Sequence, residues 1–247
     1  MVRETVLAAL IAGVIAALVF TLVQSVWVTP LILQGEAYED AAEAAADHQG
    51  PESLNTEHHH DADEWKPQDG WQRTLFTFAA NLLMGVGYSF VLLALYLLWR
   101  EPKSTFAGAV YGLAGFVVFF AAPGLGLPPE LPGTAAADIT SRQQWWAMTA
   151  VATAAGLILL CSQQRPAGDP NFVRGWCLRM LGVALIVTPH LIPAPQPVVA
   201  ASLAPSQLQS QFRLATTLCN AVFWVSLGLA SGSAFRKLVV GGARSRA

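Results

Sequence analysis

Apolar runs of about 20 residues alternate with short polar segments along most of the chain. Each run is long enough for a helix to cross a hydrocarbon core of about 30 Å. Backbone amides in lipid must be satisfied within the segment, so each run should form a helix. The six predicted spans cover residues 5–28, 74–99, 105–125, 144–162, 173–192 and 212–235. The pattern predicts an all-α polytopic transmembrane helical bundle, with residues 1–247 forming a single integral membrane domain.

Two of these runs need further comment. The fifth is interrupted by Arg179 and Pro189, so a five-span bundle remains the alternative. The first has an apolar core longer than the h-region of a signal peptide, and no A-x-A site follows Val28. We therefore expect the first run to stay in the protein as an anchor.

Composition supports a membrane protein. Hydrophobic residues make up 54% of the chain, charged residues only 12%, and the mean hydropathy is +0.46, whereas soluble domains carry about a quarter charged residues. The chain contains no GxxxxGK[ST], no HExxH and no CxxC, so P-loop ATP hydrolysis, a helical zinc-protease site and a thiolate metal site are not predicted. We predict neither an enzyme nor a cofactor nor a nucleic-acid partner.

Basic residues predict the orientation, because short cytoplasmic loops carry an excess of Lys and Arg. Six spans with a cytoplasmic N-terminus put nine basic residues inside: Arg3, Arg100, Lys103, Arg165, Arg174, Arg236, Lys237, Arg244 and Arg246. Four fall outside: Lys66, Arg73, Arg142 and Arg213. Both termini should then be cytoplasmic. An acidic, His-rich loop over 30–73 and Pro-rich loops over 126–143 and 193–211 should lie outside.

The first outer loop, 30–73, holds eleven of the sixteen acidic residues and four of the five histidines. A segment this acidic should be flexible or only partly helical. Imidazoles and carboxylates together suit borderline divalent cations such as Co²⁺, Ni²⁺, Zn²⁺ and Cu²⁺. The metal ligands predicted in EHHHDADEW are His58, His59, His60, Asp61, Asp63 and Glu64. The alternative is a solvated acidic loop with an incidental histidine run.

Two further candidate ligands lie nearer the membrane. Glu130 is in the 126–143 loop, and His190 follows Pro189 in a Pro-rich stretch that stops a helix from continuing normally. A broken helix end frees backbone carbonyls, which suits cation coordination. Turn chemistry for Glu130 and an interfacial position for His190 are the alternatives. If the outer loop collects a cation, the selective step should lie near these two residues.

Other polar and small residues predict packing. Asn81 and Asn220 should make interhelical hydrogen bonds, and Trp145 and Trp146 should anchor a span at the interface. Two small-xxx-small faces for close helix packing occur at residues 108–112 and 228–232.

Several strings together resemble the CbtA family of predicted cobalt transporter subunits: WVTPLIL, WKPQDGWQRTLFTFAANLLMGVGYSFVLL, APGLGLPPELPG, RQQWWAMTAVATAAGL, TPHLIPAPQP and FRLATTLCNAVFWVSLGL. The resemblance implies a permease subunit for Co²⁺ uptake across the bacterial inner membrane, serving cobalamin synthesis, with Co²⁺ as the transported or bound ion. It also implies a small single-span, His-containing partner, CbtB, and about five spans. The alternatives are a non-transporting metal-capturing accessory subunit and a transporter for nickel or another divalent metal.

Overall fold

The computed structural model describes residues 2–47, 67–162, 172–199 and 201–244. Helices dominate this part of the chain, and its one β feature is an isolated bridge between Thr134 and Ser202. In chain order the α-helices are α1 (Val2–Trp27), α2 (Thr29–Asp47), α3 (Trp71–Leu98), α4 (Thr105–Phe116), α5 (Ala122–Gly126), α6 (Ile139–Ser162), α7 (Phe172–Leu191), α8 (Ser206–Ala234) and α9 (Gly241–Arg244). A π-helical segment, Val117–Ala121, joins α4 to α5, and another, Phe235–Val240, joins α8 to α9.

Among the described residues, five helical stretches are long and apolar enough to cross a membrane: Val2–Trp27, Trp71–Leu98, Thr105–Gly126, Ile139–Ser162 and Ser206–Val240. The prediction of a polytopic helical bundle is confirmed. Helix α7, which coincides with the fifth predicted span, has 20 residues but is not among the five. Arg174, Arg179 and His190 interrupt its apolar sequence. The count of strongly apolar helices therefore matches the five-span alternative.

Helices α1, α3, α4 and α8 form the core of the bundle, and glycines bring their backbones together. A Cβ on Gly85 would lie 2.8 Å from the carbonyl oxygen of Gly13 on α1. A Cβ on Gly228 would lie 2.9 Å from Cα of Gly112, and one on Gly232 would lie 2.9 Å from Cα of Gly108. The two predicted small-xxx-small faces thus pack against each other, which is how small residues let membrane helices approach closely.

Aromatic rings fill the space where these four helices meet. The ring centroids of Phe20 and Phe223 are 4.9 Å apart, and those of Tyr88 and Trp224 are 4.6 Å apart. Phe119 stacks on Trp224 at 5.5 Å and touches Tyr88 at 4.9 Å. Such ring pairs add to the stabilisation that comes from burial alone. This cluster of rings is closely packed, with few polar atoms among them.

Helices α6 and α7 form a separate hairpin beside this core. They meet at glycines, since a Cβ on Gly182 would lie 2.9 Å from the carbonyl oxygen of Gly156. Helix α7 packs mainly on α6, and α6 meets the core mainly at α5 and at Val117–Ala121. An apolar groove of about 570 Å³ separates α6 from α3 and α4, between residues such as Leu95 and Leu157.

Candidate functional site

The two Pro-rich loops predicted at 126–143 and 193–211 lie together at one end of the bundle. The amide of Ala135 donates to the carbonyl of Ala201 at 2.9 Å, and the amide of Leu203 donates to the carbonyl of Gly133 at 3.3 Å. Gly133 has a φ of 69°, which glycine adopts without strain. The bridge holds the two loops as one layer over the helix ends.

Glu130 lies in this layer and pairs with a basic residue. Nη2 of Arg142 donates to Oε2 of Glu130 at 3.0 Å, and both side chains are half-buried. The neighbouring Leu131 is buried and anchors the loop in the core. The pair lines a groove of about 550 Å³, which also includes Ile32 and Phe212. A cation at Glu130 would have to share this carboxylate with Arg142 or displace the guanidinium.

Asp138 fixes the start of α6 and with it the position of Arg142. Oδ2 of Asp138 accepts from the amide of Ser141 at 2.9 Å and from the hydroxyl of Ser141 at 3.0 Å. This is an N-cap, which satisfies a first-turn amide of the helix. These hydrogen bonds stabilise the carboxylate, first through the Ser141 amide, and lower the pKa of Asp138 below its ordinary value of 3.8.

A second ion pair links the acidic helix α2 to the start of α3. Arg73 donates from Nη1 to Oε1 of Glu36 at 3.0 Å and from Nη2 to Oε2 at 2.9 Å. Its Nε also lies 2.9 Å from Oδ1 of Asp69. Two parallel bonds between a guanidinium and a carboxylate give a strong, well-oriented pair. Sequence reasoning missed both contacts of Arg73. Only the contact with Asp69 has a signal in the chain, which is the i,i+4 spacing of the two residues.

Helix α2 carries the first part of the acidic loop as ordered structure. Glu36, Asp40 and Glu43 recur at helical spacing along one face, and Asp40 and Glu43 are exposed. The stretch expected to be flexible or partly helical is therefore helical as far as Asp47. Because Arg73 neutralises Glu36, the free negative charge of α2 increases toward its C-terminal end.

Most of the predicted metal ligands fall beyond the described residues. His58, His59, His60, Asp61, Asp63 and Glu64 lie in 48–66, which the structure does not describe. Their role stays a prediction.

His190 is described, in the last turn of α7. Its ring stands edge-on to the ring of Trp145, with the centroids 6.1 Å apart. The indole Nε1 of Trp145 donates to the carbonyl of Ile192 at 3.4 Å, across the end of α7. Within the described ranges, no group of three or more His, Cys, Asp or Glu side chains is placed to hold a metal ion. Neither Glu130 nor His190 is thus part of a preformed ligand set made of described residues.

Three of the remaining sequence expectations can be compared with the structure. Asn81 donates from Nδ2 to Oγ1 of Thr21 at 3.0 Å and to Oε1 of Gln24 at 2.7 Å, so its interhelical role is confirmed. Asn220 instead donates to the carbonyl of Thr216 in its own helix at 3.0 Å. Trp145 is buried against α5 and the loop after α7, because α6 begins at Ile139 and places this ring more than a turn inside the helix. The prediction of an interfacial anchor was wrong for Trp145.

Comparison with known proteins gives one match. The family model described as "Probable cobalt transporter subunit (CbtA)" matches residues 2–236. No curated protein and no solved structure matches the chain.

Proposed function

Because the chain belongs to the CbtA family of probable cobalt transporter subunits, we propose that it takes up Co²⁺ as a permease subunit of the bacterial inner membrane, supplying cobalamin synthesis. The family match over residues 2–236 carries this proposal. The multi-pass helical bundle supports it, since five stretches have the length and composition of spans. We assign the chain no catalytic step.

In this proposal the acidic end of the bundle collects the cation. Exposed carboxylates on α2, such as Asp40 and Glu43, lead along the chain into the 48–66 segment with its histidine run. Negative charge concentrated on one surface raises the local concentration of cations. The ligands we propose are His58, His59, His60, Asp61, Asp63 and Glu64, with Glu130 and His190 nearer the membrane.

The ion pair at Glu130 limits how this residue takes part. Arg142 contacts Oε2 of Glu130, so the carboxylate is partly neutralised at rest. The carboxylate of Glu130 is attracted more strongly to a divalent cation than to a singly charged guanidinium. Binding of the cation at Glu130 would therefore break the contact with Arg142 and release its side chain toward the groove. Replacing Arg142 with Gln should therefore strengthen Co²⁺ binding if Glu130 is a ligand and leave it unchanged if Glu130 only shapes the loop.

A subunit acts with others, and we propose CbtB, the small single-span His-containing protein, as the partner. Positive charge on the end that carries Arg3, Arg100 and Lys103 favours a cytoplasmic position for that end. Both termini are then cytoplasmic, provided that α7 crosses the membrane as a sixth span.

A metal-capturing accessory subunit is the second candidate, and the centre of the bundle favours it. Rings of Tyr88, Phe119 and Trp224 fill the core. No Asp or Glu occurs between the terminal turns of the five apolar helices. A cation crossing this core would lose its hydration with few ligands in return, which is costly in a low-dielectric environment.

Uptake of radioactive Co²⁺ tests the proposal. Liposomes that hold this chain and CbtB should accumulate Co²⁺ above liposomes that hold CbtB alone. Uptake by this chain alone would show that it forms the path itself. Absence of uptake from both chains together, with Co²⁺ binding retained, would replace the permease proposal by the accessory one. Competition by Ni²⁺ in the same assay tests selectivity, because imidazole sites favour Ni²⁺ over Co²⁺ by intrinsic affinity.

Calorimetry tests the role of the histidine run. The triple variant His58→Ala, His59→Ala, His60→Ala should bind Co²⁺ at least about tenfold more weakly, since even outer-shell partners of a metal ligand contribute about 10- to 100-fold. His48→Ala, a loop histidine outside the run, is the control and should bind like the parent protein. Equal affinity of the triple variant and the parent would remove the run from the site.

A further inference from the structure

The opposite end of the bundle carries a basic pocket that the proposed metal path does not use. It occupies about 410 Å³ between the loop before α4 and the π-helical segment Phe235–Val240. Lys103, Arg236 and Lys237 line it together with one acidic residue, Glu101. Among the residues that the structure describes, no carboxylate forms an ion pair with any of these three cations. The pocket therefore has a net positive charge.

Two polar features add to this charge. The hydroxyls of Thr105 and Ser233 meet across the pocket at 3.2 Å and can donate to a ligand. Ser104 caps α4 by accepting from the amide of Ala107 at 3.0 Å. The N-terminus of α4 thus lies at the pocket wall, where the helix dipole favours a negative group.

An apolar groove of about 600 Å³ continues directly from this pocket along the side of the bundle. The two share Thr105, Ser233 and Lys237 as lining residues. Beyond these residues the groove runs between α1 and α8 over aliphatic side chains that include Ile11 and Leu229. A positively charged pocket thus opens into a hydrophobic channel on the surface that faces the bilayer.

We propose that this composite site binds one anionic phospholipid, with its phosphate against Lys103, Arg236 and Lys237 and an acyl chain in the groove. The basic pocket complements the negative phosphate, and the apolar groove complements the acyl chain. A free phosphate would use the pocket and leave the groove empty, and a zwitterionic lipid would use the groove with little gain from three cations. Basic pockets beside transmembrane helices are recognised sites for anionic head groups.

The site also lies at the correct depth for a lipid. Lys103 precedes the first turn of the apolar stretch Thr105–Gly126, and Arg236 and Lys237 lie in the last turns of the long stretch Ser206–Val240. Charged residues at helix ends are at head-group level, whereas the aliphatic groove runs along the side of the bundle toward the middle of the membrane. The binding of a lipid here would join α1, α4 and α8 at one end of the bundle.

Native mass spectrometry of the full chain in neutral detergent tests the proposal, with phosphatidylglycerol as the probe. We expect one retained phosphatidylglycerol per chain. Phosphatidylcholine with the same acyl chains should be retained much less, and inorganic phosphate should not compete. The double variant Arg236→Gln, Lys237→Gln should bind phosphatidylglycerol about 30-fold more weakly, since each basic side chain near an anionic surface contributes about fivefold to affinity.

Two control variants make the test specific. Arg174→Gln with Arg213→Gln removes two exposed cations that lie outside the pocket and the groove and should leave binding unchanged. Glu101→Gln removes the opposing carboxylate from the pocket and should strengthen binding. A gain in binding cannot result from a loss of folding. Equal retention by the Arg236, Lys237 variant and the parent would overturn the proposal. Equal loss in the Arg174, Arg213 variant, or complete competition by inorganic phosphate, would overturn it as well.

Discussion

Alanine at Gly228 should separate α4 from α8, because both neighbours of the new methyl group are backbone. The Cβ would lie 2.9 Å from Cα and from the amide nitrogen of Gly112, and it would contact the carbonyl oxygen of Gly108 more closely still. Ordinary van der Waals contact at this Cβ begins at 3.4 Å, so relief of the Gly112 contacts needs a shift of about 0.5 Å and relief of the Gly108 contact needs a larger one. Overpacking of this kind costs about 1–3 kcal/mol. We expect Gly228→Ala to lower the free energy of unfolding by about 2–3 kcal/mol, since no side chain can rotate away.

Two other glycines calibrate this result. A Cβ on Gly232 would meet one atom at 2.9 Å and the next at 3.5 Å, so Gly232→Ala should cost less, about 1 kcal/mol. Gly87, on α3, has no neighbour within 4 Å of an added Cβ. Gly87→Ala should therefore stabilise the protein by about 0.5–1 kcal/mol through helix propensity and a less flexible unfolded chain.

Unfolding of the three variants in detergent, followed by tryptophan fluorescence and circular dichroism, checks this order. The expected ranking is Gly87→Ala, the parent, Gly232→Ala and then Gly228→Ala, from most to least stable. Gly228→Ala with the stability of the parent would show that the α4–α8 contact is looser than described. A loss in Gly87→Ala as large as that in Gly228→Ala would show that helix packing is not the cause.

Two predictions concern the acidic end of the bundle, where the ion pairs and the Asp138 cap lie. A double-mutant cycle with Glu36→Gln and Arg73→Gln, measured by unfolding, should give a coupling energy of about 1 kcal/mol for this bidentate pair. The same cycle for the more exposed Asp69 with Arg73 should give about 0.3 kcal/mol. Equal coupling energies for the two pairs would refute this ranking. The folded-state pKa of Asp138 is lowered by its bonds to Ser141, so its charge stabilises the fold above the ordinary pKa of 3.8, and this stabilisation is lost as the pH falls through the folded-state value. The unfolding midpoint of Asp138→Asn should accordingly lie below that of the parent at pH 7 and meet it in strong acid; a constant gap across this range would exclude a contribution from the carboxylate charge.

The spanning helices and two of the faces at which they approach closely could be predicted from the sequence, because lipid-exposed backbone must be helical and small residues mark close approach. The glycine faces at 108–112 and 228–232 are a clear example, and they pack against each other. The polar role of Asn81 followed from the cost of an unpaired amide in lipid. These inferences depend on local composition, which the chain shows directly.

Long-range pairs at the polar end could not be predicted in the same way. Nothing in the sequence joins Glu36 to Arg73 across 37 positions, or Glu130 to Arg142 rather than to a cation. The position of Trp145 depended on where α6 begins, and the cap at Asp138 moves that start to Ile139. For such polar residues the tertiary structure determines the partner, whereas the residue type alone is compatible with an ion pair, a metal ligand or a helix cap.

The attachment of the α6–α7 hairpin at one end has a mechanical consequence. Helix α6 has 24 residues, so it is about 36 Å long at about 1.5 Å per residue. It meets the core at α5 and Val117–Ala121, whereas the groove of about 570 Å³ separates it from α3 and α4 further along. A tilt of about 10° about this contact would displace the far end by about 6 Å. An occupant of the groove would oppose such a tilt, and the pivot lies beside Glu130 and the last turn of α7, which carries His190.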